Sequence, residues 1–207
     1  LDLSEQRTVG HVAAEVRRAA GMISAEGHGA LIVLERETGL EDTAESGVML
    51  HADVSADLLV TIFSPRTPLH DGAVIVRGDR IVAAAALLPL TEMSLQSERF
   101  GTRHRAALGI TESTDAVAVV VSEESGQMSV VERARIVRVP TVPQLERALR
   151  ALLEAPVRRA GILDRRRAAV LAGPRTGASA AGILDLARQP RVEDPEPGAD
   201  DGAAAGR

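Results

Sequence analysis

The stretch Ala73-Val74-Ile75-Val76-Arg77, Gly78-Asp79, Arg80-Ile81-Val82-Ala83-Ala84 is the clearest structural signal in the chain. Two apolar runs flank a pair of turn-forming residues, which is the pattern of two antiparallel strands joined by a two-residue turn. Pro65 and Pro68 bracket a rigid loop that leads into the first strand through His70-Asp71-Gly72. The segment therefore predicts a β-hairpin that is entered from a proline-rich loop.

Further strands and helices alternate on both sides of this hairpin. Glu35–Ser46 is predicted to be a loop, and Ser4 and Ser55 are the expected N-caps of two helices. Because strands and helices interleave along the chain, the fold class is α/β. Strands are predicted at 30–34, 48–54, 115–121 and within 128–139, and helices at 4–25, 55–62, 101–113 and 142–153.

The composition of the 207 residues excludes several classes of function. There is no cysteine, which excludes disulfides, cysteine zinc sites and a thiol nucleophile. All 24 basic residues are arginine, so P-loop lysine and Schiff-base chemistry are excluded as well. With a net charge of −5 and only Phe63 and Phe100 as aromatic residues, a nucleic-acid-binding surface is not expected.

The composition changes beyond Glu154. Arginines crowd between 158 and 167, and Gly, Ala, Pro and acidic residues then dominate up to Arg207. The folded domain is predicted at roughly 4–155, and 156–207 is predicted to be a largely disordered tail. No run of 18 apolar residues is present, and we expect the start at Leu1 to be a truncation.

Asp71 is the first candidate for chemistry. It follows the proline-rich loop and precedes Gly72, and a glycine lets a ligand approach the backbone closely. A carboxylate at the mouth of a strand can bind a divalent cation or accept a proton from a hydroxyl group. His70 is a possible second metal ligand. The alternative is an ordinary Asp-Gly turn with no function.

The second candidate is Gly101-Thr102-Arg103-His104-Arg105, at the start of a predicted helix. Guanidinium groups match phosphate oxygens, and the free N–H groups of a helix N-terminus attract the same anion. The threonine hydroxyl adds another donor. The alternative is a solvated basic turn in which His104 only caps the helix or packs against it.

The third candidate is Ser122-Glu123-Glu124, directly after a predicted buried strand. Ligands of α/β proteins collect at the carboxyl ends of strands, where a serine can donate to phosphate and a glutamate can complete a metal shell with Asp71. The alternative is a charged turn. Because no Walker loop and no Gly-x-Gly-x-x-Gly is present, phosphoryl chemistry here would need a metal, an arginine cluster and a hydroxyl group of the substrate.

Three strings together carry a resemblance to a known family. Thr67-Pro68-Leu69-His70-Asp71-Gly72-Ala73-Val74-Ile75, Leu88-Pro89-Leu90 and Gly101-Thr102-Arg103-His104-Arg105-Ala106-Ala107-Leu108-Gly109-Ile110 resemble the diadenylate cyclase domain. Within that family the chain is most similar to the membrane-anchored CdaA type, and the resemblance covers about residues 5–155. It implies a mixed central β-sheet flanked by helices, with the catalytic domain at 1–155.

The resemblance also implies an activity and a site. Such enzymes join two ATP molecules into cyclic di-AMP across a face-to-face dimer, and they use Mn²⁺ or Mg²⁺, and sometimes Co²⁺. The implied catalytic residues are Asp71, Arg103, His104 and Arg105. The implied metal ligands are Asp71 and Glu124, with His70 beside them. The implied nucleotide contacts are Gly72, Ala73, Leu87, Leu88, Thr102, Arg103, His104, Arg105, Ser122 and Glu123.

The resemblance also implies a cellular location and partners, and the chain differs from many relatives at one site residue. Transmembrane helices normally precede this domain, so we expect the chain to lie at the cytoplasmic face of the bacterial membrane, with a membrane regulator and phosphoglucosamine mutase as partners. Many relatives carry tyrosine where this chain has Leu87, and the loss of a stacking ring costs roughly 1–3 kcal/mol. A nucleotide-binding sensor without turnover is the alternative function.

Overall fold

The computed structural model describes residues 2–91 and 100–155. The predicted tail, 156–207, lies outside the described residues, as does most of the polar loop after Pro89. Within the described ranges the chain forms five helices and seven strands. Their order is α1 (Leu3–Ala25), β1 (Ala30–Leu34), α2 (Glu41–Glu45), β2 (Val48–Asp53), α3 (Ala56–Phe63), β3 (Ala73–Arg77), β4 (Arg80–Ala86), α4 (Thr102–Ser113), β5 (Val117–Val121), β6 (Met128–Glu132), β7 (Arg135–Val139) and α5 (Val142–Glu154).

All seven strands belong to one mixed sheet, in the order β2-β4-β3-β1-β5-β6-β7. The pair β1–β3 is parallel, and the other neighbouring pairs are antiparallel. The predicted hairpin is present as β3 and β4, with Arg77 opposite Arg80 around Gly78-Asp79. The α/β class and the mixed sheet with flanking helices are therefore confirmed.

Helices cover both faces of the sheet, which explains the continuous apolar runs in its central strands. One face packs against α1, α3 and α5, with Val119 and Leu149 in its core. The other face packs against α2 and α4, with Val120 and Leu108 in its core. Every residue of β1 and β5 is buried, because these strands lie in the middle of the sheet.

Two local predictions were wrong. The N-cap of α1 is Asp2 rather than Ser4: Asp2 accepts a hydrogen bond from the Glu5 N–H at 2.8 Å, and the Glu5 carboxylate accepts one from the Asp2 N–H at 2.9 Å. This reciprocal capping box satisfies two backbone donors, and the helix therefore begins before Ser4, which lies inside its first turn. The segment 35–46 is not all loop, because α2 occupies Glu41–Glu45 and buries Ala44 against the sheet.

The loop before α2 is fixed to the start of β5 by one carboxylate. Asp115 was assigned to the strand, but it lies before Val117 and accepts hydrogen bonds from the backbone N–H groups of Glu37 at 3.1 Å and Thr38 at 2.9 Å. Burial would raise the pKa of Asp115, but the hydrogen bonds from Thr38 and Glu37 outweigh it and hold the pKa below its usual value.

The close packing of α4 against Pro89 gives a first prediction. A Cβ atom at Gly109 would overlap the Pro89 carbonyl oxygen and lie 2.9 Å from its carbonyl carbon. Alanine normally favours a helix over glycine by about 1 kcal/mol. Here we expect the opposite sign: Gly109→Ala should lower the free energy of unfolding by about 1–3 kcal/mol, because overpacking forces the chain apart. The change in the free energy of unfolding is measured by urea unfolding of the variant and the parent chain.

The control for this variant is Ser113→Ala, on an exposed position of the same helix. It should unfold at the same urea concentration as the parent chain or slightly above it. A Gly109→Ala protein that matches this control would show that α4 does not need to approach Pro89 so closely.

The Asp115 carboxylate predicts a pH dependence of stability. Its pKa is lower in the folded state than in the unfolded state, so it stabilises the fold at neutral pH and loses this contribution as the pH falls from about 5 to about 2. Asp115→Asn should therefore lose less stability over this range than the parent chain, as measured by thermal unfolding at each pH. Asp79→Asn, in the exposed hairpin turn, should keep the parent dependence. Equal acid sensitivity of Asp115→Asn and the parent would contradict the assignment.

Candidate active site at one edge of the sheet

Two strands begin and two strands end at the same end of the sheet, which we call the sheet edge. Ala30, at the start of β1, pairs with Val121 at the end of β5, and Ala73, at the start of β3, pairs with Ala86 at the end of β4. Since β1 and β3 are parallel, both begin at this edge. The residues that flank these ends in sequence are therefore gathered there: Gly29, Asp71, Gly72, Leu87, Leu88, Ser122, Glu123 and Glu124.

Asp71 and Gly72 lead directly into β3. Gly72 has φ +98°, a backbone conformation that favours glycine, and a Cβ atom there would lie 2.8 Å from the Ala86 carbonyl oxygen. The glycine thus lets the chain enter the sheet beside β4. Asp71 is exposed, and its carboxylate has no hydrogen bond or ion pair within residues 2–91 and 100–155. It is open to a ligand.

Arg103 is held over the start of β1. Its Nη1 atom lies 3.1 Å from the Glu123 carboxylate, and a Cβ atom on Gly29 would lie 2.7 Å from its guanidinium carbon. A larger residue at position 29 would have to push the guanidinium out of this place. The Nε–H group of Arg103 is buried and has no acceptor among the described residues. An unpaired buried donor of this kind is costly unless a ligand completes it.

The pairing register relates Arg103 to Asp71. Ile32 pairs with Val74 in the parallel ladder, and the same offset extended toward the amino ends sets Gly29 beside Asp71. Neighbouring strands lie about 4.8 Å apart. The guanidinium that covers Gly29 and the loop that carries Asp71 therefore lie at the same end of these two neighbouring strands.

The first turn of α4 also faces this edge. Its N-cap is Gly101, which provides no side-chain hydrogen bond to the helix N–H groups. Thr102 and Arg105 are exposed, and Arg105 has no partner in the described part of the chain. Backbone donors and a free cation at a helix N-terminus favour an anion.

His104 is placed differently from its neighbours. It is 7% exposed, and its ring centroid lies 5.1 Å from that of Phe100. Burial, and then the positive charge of Arg138, lower the pKa of His104, so the imidazole is neutral at pH 7. The structure therefore favours the packed histidine that the sequence analysis left open, and the basic character of this turn comes from Arg103 and Arg105.

Ser122 begins the turn after β5. Its Oγ atom accepts a hydrogen bond from the Ser125 N–H at 3.3 Å, and its own N–H donates to the Gln127 carbonyl oxygen at 2.9 Å. The hydroxyl hydrogen remains available to a ligand. Glu123 pairs with Arg103, whereas Glu124 is exposed and has no partner in residues 2–91 or 100–155.

Leu87 and Leu88 continue from β4 along the same edge. Leu87 is 73% exposed, and its N–H donates to the Ser46 Oγ atom at 2.9 Å. Leu88 is half-buried and packs against the α4 side of the core. An exposed leucine between polar strand ends provides apolar surface suited to the face of a planar ring.

The side chains proposed for a metal do not form a preformed cage. In the two described ranges, no group of three or more His, Asp or Glu residues could hold an ion. The Nδ1 atom of His70 lies 2.6 Å from the Thr67 carbonyl oxygen, so the histidine side chain makes a hydrogen bond within the proline-rich loop. A lone exposed carboxylate at Asp71 nevertheless fits Mg²⁺ or Mn²⁺, which proteins commonly hold by one or two carboxylates together with substrate phosphates.

A cleft lies at the opposite end of the strands. It has a volume of about 630 Å³ and is bordered by the start of α1 and the end of α5, with Glu35, Arg36 and Glu37 on one wall. None of the predicted site residues lines it. The chemistry-bearing residues are gathered at the other edge, which we take as the candidate site.

Sequence reasoning missed two contributors to this site. The space at Gly29, which the Arg103 guanidinium fills, was not predicted. Glu123, which the resemblance implies as a nucleotide contact, also pairs with Arg103. Ser46, which binds the backbone of Leu87, was not singled out. A glycine directly before a buried strand was the only available signal.

Comparison with known proteins relates the chain to one family. The family described as DisA bacterial checkpoint controller nucleotide-binding, the DAC domain, matches residues 17–136. Cyclic di-AMP synthase CdaA of Bacillus subtilis is 50% identical over 127 residues, which are 61% of this chain and 45% of that protein. A diadenylate cyclase of Listeria monocytogenes is 42% identical over 144 residues, 70% of this chain and 53% of that protein.

Two solved structures share the fold. A double mutant of DacA from Staphylococcus aureus is 41% identical, with a TM-score of 0.67, and the match covers 70% of this chain and 97% of that one. A hypothetical membrane spanning protein from Bacillus cereus is 45% identical, with a TM-score of 0.59 and coverage of 60% and 61%. In the described ranges of the present chain, no helix has the length and apolar character needed to cross a bilayer.

The chain spans about half the length of the curated relatives it matches. The family match nevertheless covers more than half of the chain and includes the sheet edge, the loop before β3 and the first turn of α4. The resemblance stated from the sequence is therefore confirmed, and the chain belongs to the DAC domain family of nucleotide-binding proteins.

Proposed function

We propose that this chain is the catalytic part of a diadenylate cyclase, which condenses two ATP molecules into cyclic di-AMP and releases two pyrophosphates. The relatives named for this reaction support the proposal. The observation that carries it is the position of Arg103, which is held over Gly29 with an unpaired buried Nε–H at the edge where Asp71 enters β3.

The reaction consists of two equivalent displacements. The 3′-oxygen of one ATP attacks the α-phosphorus of the other, the bond from that phosphorus to the bridging oxygen breaks, and pyrophosphate leaves. The hydroxyl proton is released in the same step. A second displacement in the reverse direction closes the ring. Each step conserves atoms and charge without a redox partner.

The residues at the sheet edge divide this work. Arg103 offers its unpaired Nε–H to a phosphate oxygen, and the first turn of α4 adds Thr102, Arg105 and free backbone N–H groups. These donors stabilise the negative charge that gathers on the phosphates in the transition state. The Ser122 hydroxyl donates from the other side. Glu123 pairs with Arg103 and borders the nucleotide beside it.

Other residues would position the sugar and the base. Gly72 and Ala73 allow the nucleotide close to the backbone, and Leu87 and Leu88 border the adenine ring. Asp71 binds the divalent cation, with Glu124 assisting, and its carboxylate accepts a hydrogen bond from the 3′-hydroxyl. A bound Mn²⁺, Mg²⁺ or Co²⁺ supplies positive charge to the phosphates. His70 and His104 support the loop and the helix around the site.

A dimer is part of this proposal. One sheet edge gathers one set of phosphate donors, so a single subunit orients one ATP. A second subunit facing the first turns the other ATP into a positioned reactant, which is a gain in effective molarity. By family resemblance, we further propose that the parent protein works at the cytoplasmic face of the bacterial membrane, with a membrane regulator and phosphoglucosamine mutase as partners.

The proposed reaction predicts a specific dependence on protein concentration. ATP and Mn²⁺ are incubated with the chain over a hundredfold range of protein concentration, and cyclic di-AMP is measured by mass spectrometry. The rate per milligram of protein should rise steeply where dimers are scarce and then level off. ATP binding without product at the highest protein concentration would instead support a nucleotide sensor. Constant activity per milligram would argue against the facing dimer.

The role of Asp71 predicts a second result. Asp71→Asn should keep the fold and lose most of its turnover, at least a hundredfold, because a neutral amide binds a divalent cation poorly. Asp79→Asn is the matched control, since this exposed aspartate lies at the other end of β3. It should retain the parent rate. Parent-like turnover of Asp71→Asn, at equal melting temperature, would remove Asp71 from the mechanism.

A further inference from the structure

Arg138 is a cation near the proposed site that belongs to none of the strings that identify the family. It lies on β7, an edge strand of the sheet, and its side chain is exposed. Its guanidinium has no hydrogen bond and no ion pair within residues 2–91 and 100–155. An arginine without a partner on an open surface costs little free energy. Whether Arg138 has a function therefore depends on its position relative to the proposed site.

The pairing register brings Arg138 to the same edge as Ser122. Val139 pairs with Met128, and Met128 pairs with Val121, so β7 ends where β5 ends. Arg138 is one residue before that level. Two strand spacings separate β7 from β5, which is about 10 Å. The side chain of an arginine and the length of a triphosphate together bridge such a distance.

Arg138 is also on the correct face of the sheet. Side chains alternate along a strand, and Val139 belongs to the core that packs against α1, α3 and α5. Ile136 packs against the other core, with α4. Arg138 shares its face with Ile136 and therefore points to the side from which α4 presents Thr102 and Arg103.

The strand register and the shared face put Arg138 on the side of the sheet that α4 covers. In keeping with this position, burial and then the charge of Arg138 lower the pKa of His104. Arg103, Arg105 and Arg138 thus converge on one end of α4, and only Arg103 has a carboxylate partner in the described part of the chain. Like charges gathered in this way repel one another unless an anion lies between them.

We propose that Arg138 is a further triphosphate-binding residue, which contacts the β- or γ-phosphate from the β7 side while Arg103 binds from the β1 side. This inference rests on the proposed function and adds to it a residue outside the family's strings. Two guanidinium groups on opposite sides neutralise the charge of the departing pyrophosphate better than one, because each takes a different set of oxygens. The base and sugar do not need Arg138.

The test compares Arg138→Ala with Arg135→Ala. Arg135 carries the same charge on the same strand, but it lies at the opposite end and faces the α5 side. Calorimetric titration with ATP and with AMP, in the presence of Mn²⁺, gives the two dissociation constants. Arg138→Ala should weaken ATP binding about tenfold or more and change AMP binding less than threefold. Arg135→Ala should change neither, and Arg103→Ala, as a positive reference, should also weaken ATP binding.

The outcomes separate this inference from the proposed function. If the unsubstituted chain makes cyclic di-AMP and Arg138→Ala binds ATP as Arg135→Ala does, the inference is overturned while the function stands. If the unsubstituted chain neither binds ATP nor makes product, the proposed function fails first. Equal losses for ATP and AMP, with a lower melting temperature, would indicate a structural role and overturn the inference. Arg138→Lys should restore part of the ATP affinity, because the charge remains.

Discussion

The contact between the Arg103 guanidinium and the backbone of Gly29 is the constraint on which the site depends. It joins the first turn of α4 to the residue that precedes the central strand β1, and the Glu123 carboxylate contacts the guanidinium as well. A side chain at position 29 would have to displace the guanidinium from its present place. The distance between the arginine and the loop that carries Asp71 would then change.

This contact in turn depends on the mixed topology of the sheet. The parallel pair β1–β3 brings the starts of two strands to one edge, and the antiparallel neighbours β4 and β5 bring two strand ends to the same edge. An all-antiparallel arrangement of the same strands would separate Asp71 from Gly29. Helices on both faces bury the central strands, so polar groups are exposed to solvent at this edge.

The electrostatic design of the site relies on arginine alone, since the chain has no lysine. A guanidinium is planar and keeps its charge when partly buried, so Arg103 can pack against a backbone and still offer an N–H to phosphate. His104 behaves as a core residue, because burial and the nearby Arg138 keep it neutral. Arg103 and Arg105 are cationic donors and His104 is packed, because they lie on different sides of α4.

The sequence by itself determined the α/β class, the hairpin β3–β4, the buried central strands and nearly all the helices, because periodicity and turn residues are local signals. It also singled out Asp71, Arg103 and Ser122 by residue type and by family resemblance. It placed a cap at Ser4, although the local Asp2–Glu5 pattern of a capping box was present in the sequence. It missed α2 and the role of Gly29, because a five-residue helix and the space that Arg103 fills depend on neighbours in the fold. Only the tertiary structure decided that three segments, separated by some thirty and twenty residues of chain, share one edge. Their shared edge depends on strand register, that is, on which residues of neighbouring strands pair. The sequence of a single segment does not show this pairing.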